Sequence, residues 1–398
     1  MTVPRLTQSP TDPDFVQNPY PFYDRARAQG PLFHWSDYNM IATTTYAATN
    51  AILKDRRFGR EPITPPDVAP HTAPFYAIEA HSMLELEPPR HTRLRGLVLR
   101  AFTSRRIKAL APEIEDLCHN LIDDFTDQPF DLLKTYCTPI PVIIIARLLG
   151  VPESKAPDLL RWSNAMVSMY QARRTRDIED AAAQAAQDFA DFIRSYVDTK
   201  RTAPADDLIT HLIAAEEDGE KLTTDELITT CILLLNAGHE ATVHTLGNGV
   251  KTLLENGVNP AQQDPKTLDK TVEEILRFDP PLHMFTRTAY EDVNVCDHTF
   301  RRGDEVACLL AAAGRDPAAT PNPNQFDPAR DSHPHQAFGA GLHFCVGAPL
   351  ARLELCIALK TLFQRCPDLT LTAAPEYANV YHFHGLKSLI TKATSSST

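Results

Sequence analysis

The 398-residue sequence predicts a mainly α fold with small β-sheets, an α+β chain carried by one large helix-rich domain over 1–398. Three observations lead there. From Arg90 to about Leu254, apolar residues recur at helical spacing, with a turn signal at Gly150. Strand-like runs are short and lie on either side of that helical block. No internal repeat and no linker-like composition divides the chain.

Taken in order, a short helix is expected over Tyr20 to Gln29. It is followed by a hairpin-like pair, Pro31 to Trp35 and Tyr38 to Thr44. Residues 61–89 carry Pro62, Pro65, Pro70 and Pro74 and read as a long loop over the substrate pocket, without structure of its own. Beyond the helical block, a helix fits Lys266 to Phe278 and is stopped by Asp279-Pro280-Pro281. Strand pieces are expected at Thr286 to Ala289, Val293 to Cys296 and Glu305 to Leu310, then an irregular polar stretch to His335. A further helix follows Gly347, and 393–398 reads as a disordered tail.

Lys and Arg number 39 against 51 Asp and Glu, a net charge of −12, which argues against a nucleic-acid partner. The polar N-terminus has no apolar signal core. The most apolar runs are broken by Arg147 and by His239 and Glu240, so neither spans a bilayer and a cytoplasmic location is expected. Eight cysteines without a secretory signal do not suggest disulfides, and with no Cys-x-x-Cys a structural zinc site is not expected. His333-Pro334-His335 reads as a surface pair rather than metal ligands. Seven of the cysteines read as core or surface thiols.

Cys345 is the exception. It lies in Phe338-Gly-Ala-Gly-Leu-His-Phe-Cys-Val-Gly347, ahead of a helical run. Glycines let a backbone approach a flat ligand. The helix start directs amide groups and positive dipole at the thiolate, which lowers its pKa and suits it to iron. The pattern of Phe338, Gly341, Cys345 and Gly347 resembles the haem-ligand loop of the cytochrome P450 superfamily. The order of elements resembles that fold over nearly the whole chain.

The resemblance implies haem b with Cys345 as the metal ligand and Phe338 and Gly347 in the cofactor loop. His91 and Arg95, four apart on one helix face, would contact the propionates with Arg287 and His343. Glu274, Arg277 and Arg330 would form a buried charge network. Leu233-Leu-Leu-Asn-Ala-Gly-His-Glu-Ala-Thr-Val243 resembles the distal helix. There Gly238 would leave room for dioxygen and Glu240 would supply the acid of an acid–alcohol pair. The alcohol position holds Ala241. Thr242 points about 100° away on an α-helix, and His239 reads as packing. Proton delivery then falls to a substrate hydroxyl, to Glu240 with water, or to peroxide chemistry that needs no relay; the first two are favoured.

Phe75, Tyr76, Leu234, Ala237, His283, Phe285 and Phe383 are the expected substrate walls, with His382 and His384 as further polar contacts. The activity implied is a monooxygenase that hydroxylates or O-dealkylates a small organic molecule with O2. NAD(P)H would supply electrons through a separate ferredoxin and ferredoxin reductase. The protein is expected to be monomeric, with Arg100, Arg105, Arg106, Arg352 and Lys360 available to attract an acidic electron carrier. Rival readings are a peroxide-driven peroxygenase and a non-catalytic haem sensor or carrier.

Overall fold

The computed structural model describes residues 3–65, 67–171, 174–217, 222–381 and 383–393. They group into two compact units, one of Met1–Ile63, Ile114–Cys137 and Ala241–Thr398, the other of Thr64–Glu113 and Thr138–Glu240. Two of the crossings fall inside the helices Ala111–Asp123 and Thr224–Glu255, so composition has no linker to show there.

Among the described residues, all the sheets belong to the first unit. The largest has six strands in the order Arg5–Leu6, Leu32–Trp35, Met40–Thr43, Glu305–Leu309, Met284–Ala289 and Phe58–Gly59. Phe285 pairs with Cys308 and Arg287 with Val306, which sets the register of the strand carrying two site candidates. Phe15, Phe22, Tyr23, Phe33 and Trp35 pack into one buried aromatic cluster of this unit. The expected helical block contains one exception, the two-residue strand Phe130–Asp131, which pairs with Ile390–Lys392. Two residues carry no period, so a pairing this short leaves no sequence signal.

Cys296 and Asp297 adopt left-handed φ angles of 51° and 59° and turn Val293–Val295 back onto His298–Phe300, a strand the sequence reading missed. Two central residues with positive φ are what a tight hairpin turn requires. Cys296 is exposed at its tip.

The helix Pro265–Phe278 shows how local sequence builds a platform. Asp264 caps it by accepting from the amides of Lys266 (2.9 Å) and Thr267 (3.2 Å), and proline occupies its first turn. Leu268, Val272, Ile275 and Leu276 form its buried stripe. Glu274 and Arg277 ride on the same helix and are buried with them.

The second unit is helical. Its longest complete helix, Arg176–Thr202, is capped by Thr175, carries Asp177 and Glu179 in the first turn and Lys200 and Arg201 in the last. Ala182, Ala186, Phe189, Ile193 and Val197 recur along its buried side. Pro139–Leu149 ends at Gly150 with φ 81°, the left-handed cap expected of glycine. The proline-rich segment is not structureless: it holds a 3-10 turn at Pro70–Thr72 and the helix Ala73–Glu79. Pro70 and Pro74 stand in the first turns of these pieces, where a missing amide costs nothing, so here proline starts helices rather than preventing them.

At the C-terminus, Ala393 is buried, which removes it from the expected tail; 394–398 lie outside the described residues, as does His382. No helix among the described residues is long and apolar enough to cross a membrane.

Candidate functional site

The cysteine loop of the first unit is shaped by two left-handed glycines, Gly339 and Gly341, both at φ 69°. A Cβ on Gly341 would stand 2.3 Å from the Leu53 carbonyl oxygen, so only glycine lets the loop lie against the end of the helix Tyr46–Lys54. The amide of Cys345 donates to the Phe338 carbonyl at 2.9 Å, closing the loop two residues before Gly347, the N-cap of the helix Ala348–Arg365. Cys345 is exposed, as is Phe344 beside it at 40%. By contrast Cys118, Cys137, Cys231, Cys308 and Cys366 are buried, and burial pushes the thiols of Cys118, Cys231 and Cys308 up to about 12. Those groups stay protonated at any physiological pH, which leaves them as packing.

The loop is braced by residues that sequence reasoning missed. Arg352, on the helix following Cys345, grips Glu273 through Nε and through Nη2 at 2.9 Å, and its guanidinium lies 4.6 Å from the Phe338 ring centroid. His335 bonds the same carboxylate at 2.9 Å. Burial alone would raise the Glu273 carboxyl, but hydrogen bonds from Arg352 and His335 outweigh it and hold the group at about 2. His335 is therefore not a surface residue: its side chain is 7% exposed, and that of His333, 3.8 Å from Glu274, is 6% exposed. Glu274 itself receives Arg277 Nε and Nη2, each at 2.7 Å, and Arg330 Nε at 3.2 Å, so the structure brings Glu274, Arg277 and Arg330 together.

Arg287 is buried in the strand Met284–Ala289, and its guanidinium carbon lies 5.8 Å from the Phe285 ring, as strand alternation places residues two apart. His343 stands on the 3-10 turn Gly341–His343. Phe383 is half-buried and bridges to Leu282. His283 departs from its expected role as substrate wall. It lies one residue before the strand and is fully buried, with Nδ1 bonded to the Tyr23 hydroxyl at 3.0 Å.

In the second unit, His91 is buried and Arg95 half-buried on the helix Arg90–Ala101. On the same helix, Arg93 pairs with the buried Glu226. Arg106 is held by Asp206 at 3.4 Å and by His211, so it is less available to an electron carrier than sequence suggested. Phe75 is buried, with the Tyr76 ring 5.4 Å away.

On the helix Thr224–Glu255, burial alternates with helical phase. Leu235 and His239 are buried, Leu234, Gly238 and Glu240 are half-buried, and Ala237 is exposed. His239 turns inward, Nδ1 to the Leu235 carbonyl at 2.8 Å. A Cβ on Gly238 would meet Ile145 at 3.2 Å, so its missing side chain admits the neighbouring helix Pro139–Leu149. Farther along, in the first unit, Ala241 is half-buried and Thr242 is buried, and the helix runs unbroken past both. No bulge swings Thr242 into the position of Ala241, whose carbonyl accepts from the Thr245 hydroxyl at 2.7 Å.

Comparison with known proteins settles the class. The cytochrome P450 family model matches residues 18–258 and 259–372. The chain is 38% identical over 375 residues to the cytochrome P450 monooxygenase PikC of Streptomyces venezuelae, covering 91% of this chain and 87% of PikC. The chain belongs to the cytochrome P450 family. It is also 35% identical to the biotin biosynthesis cytochrome P450 of Bacillus subtilis, over 96% of this chain and 98% of that protein. The solved structure of P450BioI with an acyl carrier protein superposes with a TM-score of 0.90 at 34% identity, covering 96% of this chain and all of that one.

As a P450 the protein is a haem-thiolate monooxygenase that uses haem b and draws electrons from NAD(P)H through redox partners. Its residues fit that group: an exposed Cys345 just ahead of a helix start, in a glycine cradle that a Cβ would fill.

Proposed function

We propose that this P450 inserts one oxygen atom of O2 into a small organic substrate, by hydroxylation or O-dealkylation, as a cytoplasmic monomer fed by a ferredoxin and its reductase. The observation that carries the reading is the exposed Cys345, set apart from the buried thiols in a loop braced by Glu273, His335 and Arg352. Cys345 would ligate the iron; His91, Arg95, Arg287 and His343 would hold the propionates. Thiolate-ligated haem supplies dioxygen activation, the thiolate favouring O–O cleavage.

On this reading Glu240 would move the protons, with no side-chain hydroxyl at Ala241 to help it. Ala241 leaves room where a side-chain alcohol would bind water, so a hydroxyl on the substrate takes that place and orders the water that Glu240 protonates. For the substrate, Phe285 and Phe383 would be the apolar contacts from the first unit, and Leu234, Ala237 and Tyr76 the candidates from the second. The relatives carry names from biotin and polyketide biosynthesis, and acyl and polyketide chains bearing hydroxyls are the substrate class we assign.

The test is a Soret titration of the ferric protein with matched acyl or polyketide ligands, with and without a hydroxyl. Selective low- to high-spin conversion by the hydroxylated member supports substrate-assisted proton delivery. Equal response would leave Glu240 and water to act alone. Turnover with peroxide and without electron partners would favour the peroxygenase reading, and a protein lacking a Soret band would overturn the function.

A further inference from the structure

We propose that Asp279, His283 and His384 form a buried binding site for a divalent transition-metal cation of the zinc class. It stands apart from the cysteine loop and is built within the first unit. Asp279 caps the helix Pro265–Phe278, and His283 precedes the strand Met284–Ala289. The bridge between Leu282 and Phe383 then brings His384 alongside, with its amide donating to the Pro281 carbonyl at 2.7 Å. One ligand atom from each of the three lies within 4.8 Å of the other two, and all three residues are buried.

An unsatisfied atom distinguishes this cluster from an ordinary buried network. His283 Nδ1 is bonded to the Tyr23 hydroxyl, which in turn bonds the Tyr381 hydroxyl at 2.8 Å. His283 Nε2 is buried with no hydrogen-bond partner. A histidine that ligates metal through one nitrogen characteristically bonds its other nitrogen to a fixed partner, which sets the tautomer and aims the lone pair. Tyr23 stands where such a partner belongs.

Asp279 is prepared in the same way: Oδ1 accepts from the Tyr20 hydroxyl at 2.8 Å and Oδ2 from the Tyr377 hydroxyl. Each oxygen keeps a second lone pair. The His384 ring is stacked on Tyr377 at 3.8 Å, with Nε2 3.5 Å from Asp279 Oδ1. Two imidazoles and one carboxylate suit zinc and its neighbours better than magnesium or calcium, which prefer oxygen alone.

Each histidine offers metal the ring nitrogen that carries no hydrogen, and for His283 a hydrogen bond from Nδ1 to the Tyr23 hydroxyl would leave that nitrogen as Nε2. Zinc bonds of about 2.0–2.1 Å require donors roughly 3.3 Å apart in a tetrahedron. The Asp279–His384 pair is already near that spacing, so loading mainly draws in His283. Two cations oppose the site: Arg315, stacked 3.6 Å from the Tyr20 ring centroid, and Lys251, 5.6 Å from that of Tyr377. They limit affinity but leave the donor set intact. A cation held here would staple the segment carrying Tyr20 and Tyr23 to the chain around 280 and around 380.

The experiment uses the purified haem-loaded protein, stripped with a chelator and titrated with zinc against a chromophoric competitor. Metal is counted by mass spectrometry relative to haem iron. One zinc per haem is expected, with a rise in Tm on loading. His384→Gln should abolish retention, and Tyr23→Phe, which keeps all three ligands, should weaken binding about 10–100-fold. Circular dichroism and the Soret band report whether each variant folds. No zinc uptake by the folded protein, or equal uptake by His384→Gln, would overturn the site. The CO-difference band near 450 nm reads the haem-thiolate separately, so either conclusion can fail while the other stands.

Discussion

The helix Pro265–Phe278 carries a buried charged cluster on its last turns and another at its end, and they are completed to different degrees. Arg277 spends its guanidinium on Glu274 and on the carbonyls of Gly314, Pro323 and Gln325, while Glu274 also accepts from the Asp327 amide at 2.8 Å. Donors and acceptors match, and both side chains are fully buried. Five residues past Glu274, Asp279 is well bonded, yet the histidine grouped with it keeps a buried nitrogen with nothing to bond. Saturated pairing marks a structural joint. An unpaired nitrogen within reach of two further donor groups marks a place where a cation can bind, whereas His333 Nε2, also unpaired, has only Glu274 at 3.8 Å beside it.

Breaking the saturated cluster should have the largest effect. Arg277→Met leaves Glu274 buried and largely unpaired, so unfolding in urea should show a loss of about 3–5 kcal/mol. A loss below 1 kcal/mol would mean the joint is dispensable.

Glu354 takes the contrast to its limit: it is buried, neither carboxyl oxygen has a partner, and desolvation raises its pKa to about 8. The folded pKa lies above the unfolded one, so its contribution is fully present below about pH 4.5 and is lost as pH rises through 8. Glu354→Gln should therefore stabilise the protein by on the order of 3 kcal/mol at pH 8 and little at pH 4.5. Parallel stability–pH curves for wild type and variant would show that this carboxyl is already satisfied.

Asp279→Asn sharpens the comparison from the other side. It weakens two charge-assisted bonds from tyrosine hydroxyls and should cost about 2 kcal/mol. Tyr381→Phe removes one neutral bond to Tyr23 and should cost about 1 kcal/mol, measured by the same urea midpoint.

What the sequence showed depended on distance along the chain. The cysteine loop is contiguous, so its glycines, its thiol and the helix start behind it were all legible within ten residues. Glu274 and Arg277 were readable for the same reason, being one helical turn apart. Tyr20 and Tyr23 were not, because their partners Asp279 and His283 lie about 260 positions away. Glu273 stood next to a residue already singled out, but its partners Arg352 and His335 come from elements 79 and 62 residues further on. Gly238 shows another limit: a missing side chain announces a close neighbour without saying which one, and here Ile145 is one such neighbour. Prolines in 61–89 suggest a loop in sequence, because their place within a turn is invisible before the turn is known.

The hairpin tip at Cys296 also makes the protein addressable. Once iron claims Cys345, Cys296 is the exposed thiol that remains among the described residues. A maleimide-linked dye, an electrode tether or a photosensitiser that injects electrons would attach there without engineering a new cysteine. Partial burial raises this thiol above its ordinary pKa, so coupling should run faster as the buffer is made more alkaline. The monooxygenase would then have a chemical route to reduction, installed on its own surface.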